Sequence, residues 1–344
     1  LVLTLELILY ILVLIKRNLL TIKITPIASE TLGVRSMATF VETHDVKLLM
    51  DAGASLGPRF GLLPHPIEYK ALKDARNSIE RFASKADIIT ISHYHFDHYT
   101  AAWSSIEAKW TWSSYNASKK IYGGKVVLAK DYQDSINASQ RRRGWIFSKI
   151  ANEFVKEIRY ADSSTIKFGE TIINFSQPLP HGEDNTSLGF VLSLYIKHGD
   201  EDLLYCPDFQ GPMSDKALSY ILNINPTRLI IGGPPIYLSE YKVPAQSIEK
   251  GFKNLTKIVS KVPLTIVDHH MMRDKKALER LKDLKEKASE NGNTLMTFAE
   301  YLGKQNTLLE AMRPQLYDEF PPDRDFQNWA KLSPIRQRSV LPPL

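Results

Sequence analysis

Residues 93–98 read His93-Tyr94-His95-Phe96-Asp97-His98, which places three histidines and an aspartate within six positions. Imidazole and carboxylate together suit Zn²⁺ and similar borderline divalent ions, with Mn²⁺ or Fe²⁺ as alternatives. Packing alone gives no reason to gather these side chains in one short loop. The apolar run Ala86-Asp87-Ile88-Ile89-Thr90-Ile91-Ser92 comes directly before and reads as a strand that stops where the cluster starts. Alternate side chains of an extended chain share a face, so His93 and His95 can bind one ion. Asp97 and His98 follow at a turn and can point at a neighbouring position. One loop can therefore hold parts of two metal sites, and two adjacent ions can share a hydroxide that is nucleophilic at neutral pH.

The pattern His-x-His-x-Asp-His after a strand resembles the signature of the metallo-β-lactamase superfamily of metal-dependent hydrolases. The resemblance spans about residues 21–303 and implies an α/β fold, a four-layer αββα sandwich. It also implies roles further along the chain. Asp51, closing a strand before Gly53, matches the aspartate that supports the site by hydrogen bonding. His181, after the turn Gln177-Pro178-Leu179-Pro180, matches a ligand of the first ion. Asp208, after Leu203-Leu204-Tyr205-Cys206-Pro207, matches the bridging carboxylate. His269 or His270 supplies the last ligand. The His-x-x-x-Arg spacing from His269 to Arg273, like that of the tRNA 3′-processing branch, favours His269 and marks Arg273 as a substrate contact. Whichever of the pair does not bind metal, His270 on that reading, donates a proton or touches substrate. Asp97 also stands as a group that orients or deprotonates the nucleophile. The opening Lys23-Ile24-Thr25-Pro26-Ile27-Ala28-Ser29-Glu30, with Leu32-Gly33-Val34-Arg35-Ser36 and Asp268-His269-His270, is similar to an archaeal branch known only as predicted metal-dependent hydrolases.

Those ligands need a large scaffold. At 344 residues and 43% hydrophobic, the chain can bury a sizeable core. Strands are expected near 22–27, 36–42, 46–50, 86–92, 171–176, 203–206, 228–232 and 264–267. Helices are expected near 67–84, 132–153, 214–222, 245–260 and 273–291, with another over about 294–309. No internal repeat shows in the residues. Leu1 to Ile15 is nearly all apolar, followed by Lys16 and Arg17. That run is short of the roughly 20 residues a membrane span needs. Residues 1–20 read as an extension outside the fold, with a membrane anchor as the alternative. The Pro-rich tail, residues 304–344, reads as surface-wrapped or mobile. The single cysteine, Cys206, excludes internal disulfides and fits a reducing, cytoplasmic setting. It reads as a buried thiol rather than a soft ligand.

Other features bear on substrate. The net charge of +6 permits an anionic small molecule or a nucleic acid as partner. Arg141-Arg142-Arg143-Gly144-Trp145 combines guanidinium groups with a ring, a combination that suits phosphate and base. Tyr99, Trp103, Trp110, Trp112 and Tyr115 either wall a pocket or pack the core. His65 is either a proton shuttle or substrate contact, or a cap. The favoured activity is phosphoester hydrolysis on a nucleotide or nucleic acid. Hydrolysis of a thioester, lactone or amide is the alternative, and a mononuclear iron redox enzyme is the second. The spacing from Asp208 to His269 leaves no room for the inserted domain of the β-CASP nucleic-acid branch. A homo-oligomer is compatible with all of these readings.

Overall fold

The protein is described by a computed structural model over residues 21–239 and 242–344. Its first sheet has the order β1 (Lys23–Pro26), β2 (Thr39–Glu42), β3 (Lys47–Met50), β4 (Ile88–Ile91), β5 (Val126–Ala129), β6 (Glu157–Tyr160). Strands β1 to β3 pair antiparallel, and β3 to β6 pair parallel. The second sheet contains β7 (Thr165–Phe168), β8 (Thr171–Phe175), β11 (Leu194–His198), β12 (Glu201–Cys206), β13 (Arg228–Gly232), β14 (Leu264–Asp268) and β15 (Thr294–Met296). It is antiparallel from β7 to β12 and parallel from β12 to β15. Strands β9 (Leu179–Pro180) and β10 (Phe190–Val191) pair separately. Each sheet thus changes from antiparallel to parallel at one strand, β3 or β12. The same order of pairing recurs in both sheets.

Helices α1 (Pro66–Ala83), α2 (Tyr115–Tyr122) and α3 (Ala138–Ala151) cover the first sheet. Helices α4 (Asp215–Ile224), α5 (Ala245–Val259) and α6 (Ala277–Ser289) cover the second. Strand alternation divides the core among three layers. Leu49 and Ile89 face α1 and α3 through Leu72, Ile79 and Phe147. Leu48, Met50 and Ile88 face the other way, meeting Ile173, Leu203, Ile230 and Ile266 between the sheets. Leu204, Ile231 and Val267 meet Ile221, Leu255 and Leu281 of the second helical layer. The layers run helix, sheet, sheet, helix. Each fully buried Leu or Ile contributes about 1.5–3 kcal/mol. The central parallel strands, buried on both faces, are the continuous apolar runs seen in the sequence.

One expectation changes. The helix expected over about 294–309 is instead β15 and a single turn, Phe298–Tyr301. Leu295, Phe298 and Leu302 have helical spacing, but the open edge of β14 takes Thr294–Met296 as a parallel strand. The tail forms three short helices, α7 (Arg313–Glu319), α8 (Arg324–Ala330) and α9 (Pro334–Ser339). Phe326 and Trp329 of α8 enter the first helical core beside Tyr69. Arg313 is fully buried and reaches both Glu68 oxygens at 2.8 Å. The expectations for residues 1–20 lie outside the described residues. No helix among the described residues is long and apolar enough to cross a membrane.

Candidate metal centre

The strand ends deliver the donors. Asp51 follows β3, the 93–98 loop follows β4, His181 follows β9, Asp208 follows β12 and His269 follows β14. They meet around the Asp208 carboxylate. His93 Nε2, His95 Nδ1 and His181 Nε2 lie 3.0, 3.8 and 2.8 Å from Asp208 Oδ2. His98 Nε2 approaches the same oxygen at 3.3 Å from the other group. His269 Nε2 and His270 Nε2 lie 2.8 and 3.1 Å from Oδ1. Asp97 Oδ2 is 3.8 Å from His269 Nε2.

Four overlapping groups of donors result, each with atoms within 4.8 Å of one another; the two that carry the argument are His93, His95, His181 and Asp208, and Asp97, His98 and His269, beside Asp51 with His93 and His98, and Asp208 with His269 and His270. Ring nitrogens face ring nitrogens, His93 Nε2 to His95 Nδ1 at 3.0 Å and His98 Nε2 to His269 Nε2 at 3.1 Å. Asp208 Oδ1 is buried without a well-aligned hydrogen bond, although two imidazoles approach it. Nitrogen and carboxylate donors aimed at common points fit a pair of divalent cations.

The far side of each ring is held in turn, which decides its tautomer. His98 Nδ1 is 2.8 Å from Asp51 Oδ2, an acceptor, so a proton sits there and Nε2 is the atom turned toward Asp208. Asp51 is itself fixed by Ser92 N, Ser92 Oγ and the Tyr205 hydroxyl at 2.8, 2.6 and 2.9 Å. Ser92 Oγ gives its proton to Asp51 and accepts from His93 Nδ1 at 3.0 Å. His269 Nδ1 donates to Glu30 Oε2 at 2.9 Å, again leaving Nε2 turned toward Asp208. Gln210 lies 3.4 Å from His181 Nδ1, and turning its amide would engage the otherwise unpartnered Oε1.

The backbone makes this convergence possible. Asp51, Asp208 and His269 have left-handed φ values of 51°, 53° and 67°. Such a bend at His269 breaks strand alternation. Were β14 to continue, His270 would lie on the face opposite His269. The strand instead ends at Asp268, and both histidines turn toward Asp208. Gly53 is needed for close approach, since a Cβ there would lie 2.3 Å from Tyr99 N.

Curated relatives are similar along nearly their whole length. The UPF0282 protein MK0213 of Methanopyrus kandleri is 40% identical over 298 residues, covering 86% of this chain and 99% of the relative. The UPF0282 protein PYRAB09800 of Pyrococcus abyssi is 43% identical over 297 residues, covering 86% and 92%. The chain belongs to the UPF0282 family. No family model matches it. Among solved structures, Tm1679, a metal-dependent hydrolase of the β-lactamase superfamily, is similar with TM-score 0.45 and 13% identity, covering 80% of this chain and 96% of that one. The short form of human tRNase Z is similar with TM-score 0.37 and 10% identity, covering 72% and 92%.

Electrostatics in this UPF0282 centre divide along the two groups. Burial pushes the His93 imidazole well below its usual range, and His98 adds to that. Burial also lowers His269, but the Glu30 and Asp208 carboxylates outweigh it and raise it to about 9. His98 is likewise held well above its usual range by Asp208 and Asp51 against burial. Burial pushes Asp208 up, yet His269, His181 and His98 hold it well below the usual carboxylate range. A cation held by the second group would displace protons from His98 and His269.

Two candidate substrate contacts sit in structural networks. His65 caps α1, with Nδ1 accepting from Ile67 N, and its Nε2 meets Phe320 O at 2.7 Å. Glu68 completes the capping box, so His65 takes the capping alternative in this structure. Arg273, expected to contact substrate, is 4% exposed. Its Nε, Nη1 and Nη2 bind Glu30 Oε1, the Tyr237 hydroxyl and Asp97 Oδ2 at 2.6, 3.0 and 3.0 Å. Arg273 therefore positions Asp97 and Glu30. Sequence reasoning passed over Glu30, Tyr205, Gln210 and Tyr237. The signal for Glu30 was one acid inside the run Ile27-Ala28-Ser29-Glu30-Thr31-Leu32. Cys206 is buried beside Ser193, its thiol pushed up by burial.

Proposed function

We propose that this UPF0282 protein is a dinuclear metal-dependent hydrolase acting on a phosphoester of a nucleotide or nucleic acid, with Zn²⁺ as the favoured ion. The observation that supports it most is the Asp208 carboxylate, shared by two groups of imidazole nitrogens. His93, His95 and His181 would hold one cation and Asp97, His98 and His269 the other. Bound there, the pair supplies an acidified water and a counter-charge for the oxyanion. The chain's own residues orient the reaction. His95 and Asp97 are the donors most open to solvent, with side chains 24% and 15% exposed, so substrate enters over them. Arg273 Nη2 holds Asp97 Oδ2 at 3.0 Å, which fixes the carboxylate that aligns the attacking water.

His270 takes a different role from its neighbour. The Tyr237 hydroxyl accepts from Arg273 Nη1, so its own proton points to His270 Nδ1 at 2.9 Å. The His270 proton then sits on Nε2, facing Asp208. A protonated Nε2 is not a ligand, but the neutral ring can donate a hydrogen bond to the leaving oxygen as the P–O bond breaks, with the proton itself coming from water. That hydrogen bond is the role left once His269 is the ligand. The +6 net charge suits a phosphate-bearing substrate.

The test uses purified, zinc-loaded protein with bis-p-nitrophenyl phosphate and an acyl thioester. Turnover of the diester, lost in His95→Ala and Asp97→Ala, supports the reading. His269→Ala should lower metal content, while His270→Ala should lower turnover with metal retained. Turnover of the thioester alone would move the assignment to acyl hydrolysis.

A further inference from the structure

Beside the metal loop lies a cleft of about 250 Å³ whose walls join two features that are far apart in sequence. One wall is Phe96 and Trp103, from the loop and the stretch after it. The other is Arg142 and Arg143 of α3, with Ser105 and Glu107 also facing the space. Phe96 sits between His95 and Asp97, so the cleft begins one residue, about 3.8 Å of backbone, from each of two proposed ligands.

The walls are fixed in place. Gln140 of α3 accepts from Tyr94 N at 3.0 Å, and Arg143 Nη1 donates to Tyr94 O at 3.3 Å. These bonds tie α3 to the metal loop. The Arg143 guanidinium lies over Phe96, 4.3 Å from the ring centre. The inner side of Phe96 packs on Tyr99, with centroids 5.8 Å apart and planes 18° apart. Trp103 meets Phe96 edge-on at 6.3 Å. Among the described residues Arg142 makes no hydrogen bond or ion pair, and it is exposed. Ser105 Oγ is buried without a partner.

A free guanidinium, a second guanidinium held flat, and an indole are together the chemistry that takes a phosphate and a base. Glu107 adds an acceptor suited to the N–H edge of a base and repels a phosphate from its own wall. We propose that this cleft holds one nucleotide unit of the substrate, with the phosphate on Arg142 and the base against Trp103 and Arg143. The assignment rests on the phosphoester reading above and names the substrate class of that same centre. The unit belongs either to a free nucleotide or to the end of a single-stranded nucleic acid.

Direct binding tests it without relying on turnover. The zinc-loaded full chain is titrated with AMP, adenosine, inorganic phosphate and a five-nucleotide RNA, following tryptophan fluorescence and heat. AMP should bind more tightly than adenosine or phosphate, and Arg142→Ala should weaken AMP by about tenfold or more, as expected for a charge-assisted bond. Trp103→Ala should weaken adenosine as well, and Trp103→Phe should restore part of the loss. RNA binding above AMP would identify a strand end, and equal binding a free nucleotide; both sustain the cleft. Nucleotide binding with no phosphodiester hydrolysis would sustain the cleft and remove the hydrolase reading. Hydrolysis of bis-p-nitrophenyl phosphate with no nucleotide binding, or AMP affinity unchanged in Arg142→Ala, would overturn the cleft.

Discussion

The two sheets supply the centre in contrasting ways. The first gives four donors, His93, His95, Asp97 and His98, from one loop after β4. The second gives one donor at a time, Asp208 after β12 and His269 after β14, and His181 follows β9 of the separate β9–β10 pair. Both obey the same pairing plan, antiparallel then parallel, and both place an aspartate after the changeover strand with φ near 50°, Asp51 at 51° and Asp208 at 53°. Their roles have separated. Asp51 faces the far nitrogen of His98, whereas Asp208 faces the metal-side nitrogens of His93, His181 and His269. On the proposed reading, the repeated pairing plan makes one aspartate a support and its counterpart a shared ligand. The halves also differ in cover, since α8 packs on the first helical layer and Arg313 reaches α1.

The contrast between Asp51 and Asp208 can be broken directly. Asp208→Ala should reduce phosphodiester turnover by at least about 10³-fold, some 4 kcal/mol, and remove metal from both groups. Asp51→Ala should lose less metal, because it removes an orienting partner and no ligand. Elemental analysis of the two purified variants reads the difference.

The extra cover of the first half predicts a large stability effect. Arg313→Ala leaves Glu68 charged, buried and unpaired, and should destabilise by about 3–5 kcal/mol in urea unfolding. Metal content at low urea should stay unchanged.

A related effect follows acid. Burial pushes the Glu310 carboxyl up, but Arg35, bonded to it at 2.6 and 2.7 Å, outweighs this and lowers it to about 2. A carboxylate depressed in the fold stabilises above its unfolded value near 4.5 and loses that contribution as pH falls toward 2. The loss should be on the order of 3 kcal/mol across that window. Arg35→Met should flatten this part of the stability–pH curve.

The smallest effect sharpens how the halves cooperate. Glu30, from the segment after β1, orients His269 at the end of β14, so the first half tunes a ligand of the second. Glu30→Gln should weaken metal affinity about 10–100-fold, as outer partners of metal-bound histidines do. Chelator competition measures it.

The same asymmetry explains what the sequence disclosed. The 93–98 loop is contiguous, so its chemistry is visible without a fold. His181, Asp208 and His269 are single residues, found through a resemblance and not through local pattern. Glu30 and Tyr237 escaped because their partners, His269 and His270, are reached only across the folded sandwich. Arg273 looked like a substrate contact because spacing says nothing about the three acceptors that surround it. The sheet cores were legible as apolar runs. Strand β15 was not, because its pairing with β14 overrides a locally helical pattern.

The measurement closest to the central claim is anomalous diffraction from crystals of the zinc-loaded protein. Two peaks about 3.5–4 Å apart, one on each side of the Asp208 carboxylate, are the expected result. A single peak, or none contacting Asp208, would contradict the shared-carboxylate centre.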